Sequence, residues 1–194
     1  MTTNQAIFLD RDGTINRNLF YPDTQEFEGP REPGELEIYP WTISAMLSLQ
    51  NAGFCLFIVS NQPNFAKGKT TQESLEAIHG RLIADLKLGG VRIVESFYCL
   101  HHPKSEIPGY STCDCRKPSP RFLFDAAAKY DLELSRSWMV GDRPADIECG
   151  RRAGVRTIRL LPDHASPDPR NELPSPDCFA ENLLDAATMI INGK

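Results

Sequence analysis

The chain lacks any apolar run long enough to cross a bilayer, since no window approaches the ~18 residues such a helix needs. Its opening residues, MTTNQAIFLDRDG, include no charged leader followed by a long apolar stretch, so secretion and membrane anchoring are not expected. Positive charge is scarce. With 21 Lys and Arg against 26 Asp and Glu, the formal net charge is −5, and a phosphate backbone is held mainly by Lys and Arg, so a general nucleic-acid binder is excluded while a local basic pocket is not. There is no internal repeat and no sign of a second domain, and 194 residues suffice for one substantial core, so one domain over 1–194 is expected. The six cysteines are scattered or paired closely with histidine rather than spread as a disulfide framework, which fits reduced thiols and a metal. These absences together predict a soluble, cytoplasmic protein with no nucleic-acid or membrane partner, and a single compact domain makes a monomer the default expectation.

What is present is an alternation of apolar clusters with segments of helical period. AIFLD (6–10), FCLFIVS (54–60), SFYC (96–99) and WMVGD (138–142) suit buried strands. Leu75, Ile78, Leu82, Ile83 and Leu86 recur on one helical face, with Thr70 and Glu73 offering a capping box. Ser119 can cap another helix with Pro120 in its first position. Ile43, Met46, Leu47 and Gln50 lead to Gly53, placed to end a helix in a left-handed turn, and a last helix is expected to pack Leu183, Leu184, Ala187 and Ile191. Parallel strands need crossovers, so this alternation predicts an α/β fold, a Rossmann-like three-layer sandwich with a mostly parallel sheet. Two proline-rich stretches interrupt the scheme. Residues 17–40 read as a long loop of the kind that is usually functional or mobile, and residues 161–178 lead into the last helix.

In an open α/β sheet, ligands sit beyond the carboxyl ends of the strands, which gathers Asp10 and Asp12, Ser60 and Asn61, and Asp142 and Asp146 at one edge. A lone strand-end aspartate commonly caps a helix or turns a loop. Several converging ones repel unless a hard cation such as Mg²⁺ lies among them. Carboxylates also attack phosphorus, splitting one hard step into two through an aspartyl phosphate.

DRDGT (10–14) resembles the D-x-D-x-T nucleophile motif of the haloacid dehalogenase superfamily of phosphotransferases, and SN (60–61), RKP (116–118) and GDRPAD (141–146) match its later motifs in order, so the likeness runs from residue 6 to 158. With no large domain inserted between these motifs, the resemblance implies a haloacid dehalogenase-like phosphatase domain without a large cap, acting on a small phosphorylated metabolite. It implies Asp10 as nucleophile, Asp12 as general acid and base, Ser60 and the Asn61 backbone as ligands of phosphoryl oxygens, and Lys117 as the counter-charge. Asp10, Asp142 and the backbone carbonyl of Asp12 would hold Mg²⁺, with Asp146 reaching the ion, if at all, through a water. Arg11 is expected by strand alternation to point away from the site.

YCLHHPKSEIPGYSTCDCRKP (98–118) places Cys99, His101, Cys113 and Cys115 in a pattern that suits four-coordinate structural Zn²⁺. His102 competes with His101, which is preferred because the next residue of an extended segment points away. This loop, 99–115, resembles that of the zinc-containing capless branch that includes heptose-1,7-bisphosphate phosphatases and the phosphatase part of bifunctional histidinol-phosphate enzymes. The resemblance implies that zinc folds the loop so that Arg116 and Lys117 face the phosphate. Cys55, Cys149 and Cys178 are expected to pack. Three features depart from the heptose pattern: the extended stretch after NLFYPD, Pro63-Asn64-Phe65 in place of a small flexible segment, and Arg143 where lysine is common. Arg116 and Arg143 can grip a second phosphate or carboxylate of the substrate, or be surface arginines paired with acids. Tyr21 and Phe65 are candidate walls. The substrate expected is heptose 1,7-bisphosphate at its 7-position, with histidinol phosphate or another small metabolite as alternatives, and a catalytically inactive binding protein as the contrasting class.

Overall fold

Side chains along β1 (Ala6–Leu9) alternate between two cores, Ile7 and Leu9 entering one and Ala6 and Phe8 the other, all with no exposed surface. The same alternation runs along β4 (Cys55–Asn61), where Leu56 and Ile58 face the first core and Phe57 and Val59 the second. A strand buried on both faces must be covered by helices on both, and that is the architecture. The computed structural model describes residues 4–162 and 173–193.

Six strands form one sheet in the order β5-β4-β1-β6-β7-β8, with β5 (Ile93–Cys99), β6 (Trp138–Gly141), β7 (Arg156–Leu160) and β8 (Cys178–Ala180), and every neighbouring pair is parallel. Helices α1 (Thr42–Asn51), α2 (Gln72–Leu88) and α5 (Leu183–Ile191) cover the first face through Met46, Leu49, Ile78, Leu82, Leu183 and Ile190. Helices α3 (Arg121–Tyr130) and α4 (Pro144–Ala153) cover the second through Leu123, Ala126, Cys149 and Ala153. Each fully buried aliphatic or aromatic side chain contributes roughly 1.5–3 kcal/mol on leaving water, so the two faces together outweigh any single loop. The expected three-layer sandwich is present.

Several local readings need correction. The cap of α2 is Thr71, whose hydroxyl accepts from Ser74 N; Thr70 instead donates to the Arg31 carbonyl. Pro120 stands at the N-cap of α3, one position earlier than expected, and Ser119 Oγ accepts from Arg121 N at 3.3 Å. In α5, Leu184 and Ile191 point outward and Ala186 and Ile190 point inward beside Leu183 and Ala187. Residues 17–40 are not structureless: β2 (Leu19–Tyr21) and β3 (Glu26–Glu28) pair antiparallel as a hairpin, and a 3-10 turn follows at Pro33–Glu35. Of the stretch 161–178, residues 163–172 lie outside the described residues.

Candidate active site

The carboxyl ends of β1, β4 and β6 meet at the centre of the sheet, where the chain order reverses to either side of β1, and an open α/β sheet leaves its crevice there. Immediately after β1 the backbone turns, the Arg11 carbonyl accepting from Thr14, Ile15 and Asn16 N. Gly13 makes the turn possible: its φ is +83°, and any side chain there would run into the Asp142 carboxylate.

Lys117 organises the floor of the site. Its ammonium, 3% exposed, lies 2.9 Å from Asp10 Oδ1 and 2.6 Å from Asp146 Oδ1 and donates to the Val59 carbonyl at 2.6 Å. Burial opposes the charge on Lys117, but Asp10 and Asp146 outweigh it and hold the ammonium above its ordinary range. The lysine backbone is clasped by Asn61, whose Oδ1 accepts from Lys117 N and whose Nδ2 donates to Lys117 O, both at 3.0 Å. This task of the Asn61 side chain is separate from the phosphate contact expected of its backbone. Asp146 receives Arg143 N at 3.0 Å on its other oxygen and is wholly buried, and burial pushes its carboxyl upward although Lys117 opposes the shift.

Asp10, Asp142 and Asp146 each bring a carboxylate oxygen within 4.8 Å of the others. Burial, reinforced by Asp10 and Asp146 and only partly offset by Arg143 and Lys117, pushes the Asp142 carboxyl up to about 8. Its Oδ1 is buried without a hydrogen-bond partner, and Asn18 Nδ2 reaches Oδ2 only at 3.4 Å. A buried acceptor left open beside two more carboxylates fits a hard divalent cation with oxygen ligands. Asp146 Oδ1 is likewise without a hydrogen-bond partner but sits 2.6 Å from the Lys117 ammonium as an ion pair, and its Oδ2 accepts from Arg143 N, so Asp142 is the least committed of the three.

The expectation that Arg11 turns away is wrong. Its guanidinium, 1% exposed, grips Asp12 with two prongs, Nε to Oδ1 and Nη2 to Oδ2, both at 2.9 Å. Asn16 and Gln62 complete the shell around Asp12. Burial alone would raise the Asp12 carboxyl, yet Arg11 and the amide donors hold it below the usual carboxylate range. Strand alternation fails here because the chain has already left extended geometry.

The second cluster also assembles. Cys99 Sγ stands 3.6 Å from Cys113 Sγ and 3.8 Å from His101 Nδ1, and Cys115 Sγ is 3.8 Å from the same nitrogen. A tetrahedron with Zn–S arms of ~2.3 Å has edges of about 3.8 Å, so these spacings fit a zinc ion. His102 is turned elsewhere, its Nδ1 accepting from Lys104 N. The loop positions Arg116, whose Nη1 donates to the His101 carbonyl at 3.0 Å.

Above the floor opens a cavity of about 400 Å³ whose lining includes Ser60, Asn61, Arg116 and Arg143 as expected. It also includes Lys67, a lysine in a polar loop that no local sequence pattern marks, and Glu26 and Phe27 of the hairpin with the adjoining Gly29. Burial, with Lys69 nearby, holds the Lys67 ammonium below its ordinary value. The candidate walls lie elsewhere: Tyr21 bonds Glu35 under the Arg31 guanidinium, and Phe65 packs edge-on to Tyr110.

The comparisons with known proteins agree with this geometry. The HAD-hydrolase-like family model matches residues 114–186. The chain is 33% identical over 156 residues to a D-glycero-beta-D-manno-heptose-1,7-bisphosphate 7-phosphatase of Rhodopseudomonas palustris, covering 80% of this chain and 82% of that one. It is 32% identical to the corresponding D-glycero-D-manno-heptose-1,7-bisphosphate 7-phosphatase of Chlorobaculum tepidum, covering 100% of this chain and 98% of that one. Among solved structures, D,D-heptose 1,7-bisphosphate phosphatase from B. bronchiseptica, complexed with magnesium and phosphate, superposes with a TM-score of 0.81 at 27% identity and covers 98% of this chain and 99% of that one.

Proposed function

Because the chain belongs to the haloacid dehalogenase-like phosphatase family, we propose that it hydrolyses D-glycero-D-manno-heptose 1,7-bisphosphate at the 7-phosphate through an aspartyl phosphate on Asp10. The observation that carries this reading is the gathering of Asp10, Asp142 and Asp146, with Lys117 paired to Asp10 and Asp146, on the floor of a cavity lined by further cations.

Asp10 attacks phosphorus: its oxygen–phosphorus bond forms, the ester P–O bond breaks, and the departing sugar oxygen takes a proton from Asp12. Water then attacks the same phosphorus, Asp12 removes its proton, and the bond to Asp10 breaks to release orthophosphate. Asp12 is held ionised at rest, so the proton it gives the leaving oxygen is first taken from solvent, and in later turnovers it is the proton Asp12 has removed from the attacking water. Lys117 offsets the repulsion between Asp10 and the incoming dianion, while Ser60 and the Asn61 backbone hold phosphoryl oxygens. Asp10, Asp142 and the Asp12 carbonyl would hold Mg²⁺, which supplies positive charge opposite those oxygens. Asp146 keeps Lys117 in place and would reach the ion, if at all, through a water.

Lys67, Arg116 and Arg143 line the outer cavity, and Arg116 feels the repulsion of Arg143. Such a cation set favours a second anionic group on the substrate, as in a bisphosphate, over the ammonium of histidinol phosphate. Zn²⁺ on Cys99, His101, Cys113 and Cys115 would fold the loop that presents Arg116 and Lys117. The enzyme acts as a cytoplasmic monomer.

Phosphate release over sugar, amino-alcohol and nucleotide monoesters tests the substrate. Heptose bisphosphate should be turned over fastest, and a rate no better than that of a generic ester would reject it. Asp10→Asn should remain folded and lose nearly all Mg²⁺-dependent phosphate release, whereas retained activity would reject the mechanism and favour a binding protein.

A further inference from the structure

Asp12 is held from several sides. Its carboxylate accepts four hydrogen bonds: Arg11 Nε and Asn16 Nδ2 on Oδ1, each at 2.9 Å, and Arg11 Nη2 at 2.9 Å and Gln62 Nε2 at 2.7 Å on Oδ2. Gln62 closes a ring, since its Oε1 accepts from Arg11 Nη2 at 2.8 Å while its Nε2 also reaches Ser60 Oγ at 3.1 Å. Arg11 is boxed in beyond this ring: its backbone N donates to Asp10 Oδ1 at 2.7 Å, and its guanidinium lies 5.7 Å from the Tyr98 ring centroid. Gln62, 3% exposed, is as enclosed as Arg11.

We propose that Arg11 and Gln62 are positioning residues that set the orientation of the Asp12 carboxylate for proton transfer. A two-pronged guanidinium contact fixes the plane of a carboxylate, which a single ammonium contact does not. The Gln62 amide then ties that plane to Ser60, a proposed holder of the phosphoryl group, so the proton donor and the group it serves share one frame. Gln62 borders the cavity and Arg11 does not. Both act on the proton through Asp12, and because their donors, with that of Asn16, fill the four acceptor sites of the ionised carboxylate, one of these contacts opens each time Asp12 carries a proton. General acid–base catalysis contributes about 10²–10⁴-fold and depends on reach to the proton, so a misaimed carboxylate forfeits much of that factor while leaving substrate binding intact.

The inference rests on the acid–base assignment of Asp12, and the experiment separates the two. Arg11→Met, Gln62→Leu and Asp12→Asn are compared with the parent on heptose bisphosphate, an alkyl ester whose leaving oxygen needs a proton, and on p-nitrophenyl phosphate, whose leaving group does not. Arg11→Met and Gln62→Leu should lower kcat on the alkyl ester by about 30-fold or more, a share of the general-acid factor, with KM nearly unchanged. The first release of nitrophenol should slow only a few-fold. It should then appear as a burst approaching one equivalent per chain, because hydrolysis of the aspartyl phosphate needs the same carboxylate as base.

Equal losses on both esters without a burst, or no loss on the alkyl ester, would overturn the proposal. Asp12→Asn must show the same division between esters. If it does not, the acid–base assignment itself fails; if it does and the other two variants do not, only the positioning role fails. Gln62→Leu retains the Arg11–Asp12 pair, so it carries the test by itself should Arg11→Met not fold, and thermal melting checks folding in each case.

Discussion

Metal-free protein is expected to lose stability as pH rises through neutrality, and Mg²⁺ is expected to abolish that loss. The source is Asp142, whose carboxyl is pushed up to about 8 by burial and by Asp10 and Asp146, against about 3.9 for a free aspartate. The native state therefore holds this proton more tightly than the unfolded chain does. The stability so contributed is complete below about pH 4 and is lost as pH climbs through about 8. A shift of about four units corresponds to at most roughly 5–6 kcal/mol. Asp142 is only partly buried and shares its field with two other carboxylates, so about 2–4 kcal/mol is the working magnitude. At about 2–4 °C per kcal/mol for a domain of this size, that is ~4–16 °C in Tm. The assay is thermal melting at pH 5, 7 and 9 with chelator or with excess Mg²⁺. The rise in Tm on adding Mg²⁺ should be small at pH 5 and large at pH 9, and Asp142→Asn should flatten the metal-free slope. An equal Mg²⁺ effect at pH 5 and pH 9 would refute the reasoning, because the ion would then not be replacing a proton among these carboxylates.

Lys117→Met should cost about 3–5 kcal/mol in denaturant unfolding, since it strands Asp10 and Asp146 without their buried partner. It should also lower kcat by roughly 10²–10³-fold, the scale for removing one preorganised group from a charge-stabilising site. Elemental analysis should find about one zinc per chain, as a closed four-ligand site requires; Cys115→Ser should lower that content and the Tm together. Arg116→Met should raise KM for the bisphosphate by roughly 10–100-fold while leaving kcat on a simple monoester within a few-fold, because a lost charge-assisted hydrogen bond is worth about 1.5–3 kcal/mol.

The strands that carry the site were legible because β1, β4 and β6 are buried on both faces and read as unbroken apolar runs. β7 was not, since Arg156 and Arg159 interrupt it; Arg159 is nonetheless 4% exposed, its Nε reaching the Asp142 carbonyl at 3.2 Å. The hairpin escaped notice because each of its strands has only three residues, too few for alternation to register. The carboxylates and Lys117 were legible because the motifs fix residue types at strand ends. Partner choice was not: Gln62 meets Asp12 across 50 residues of chain, and no local pattern encodes which amide on a distant loop will face a given carboxylate. Arg11 misled for a related reason, as alternation holds only while the backbone stays extended and three hydrogen bonds to its carbonyl end that extension.

A domain without a large cap must find its pocket walls among its own loops, and here those loops brace one another. Segment 62–70 is the keystone. On one side, Asn64 Nδ2 donates to the Gly29 carbonyl at 3.2 Å, Lys69 pairs with Glu28, and Thr70 Oγ1 donates to the Arg31 carbonyl at 2.6 Å, which ties it to the hairpin. On the other, Ala66 O accepts from Glu106 N at 2.8 Å and Phe65 packs on Tyr110, whose ring lies 5.1 Å from that of His101. Order in the cysteine–histidine cluster therefore reaches the loop that carries both Gln62 and Lys67, besides fixing Arg116 directly. Pro63 restricts the backbone and Phe65 anchors it, so the departure from a small flexible segment is a stiffening. A rim ordered before substrate arrives loses less entropy on binding. The proposed substrate would therefore meet a rim whose cations and hairpin residues are already in place.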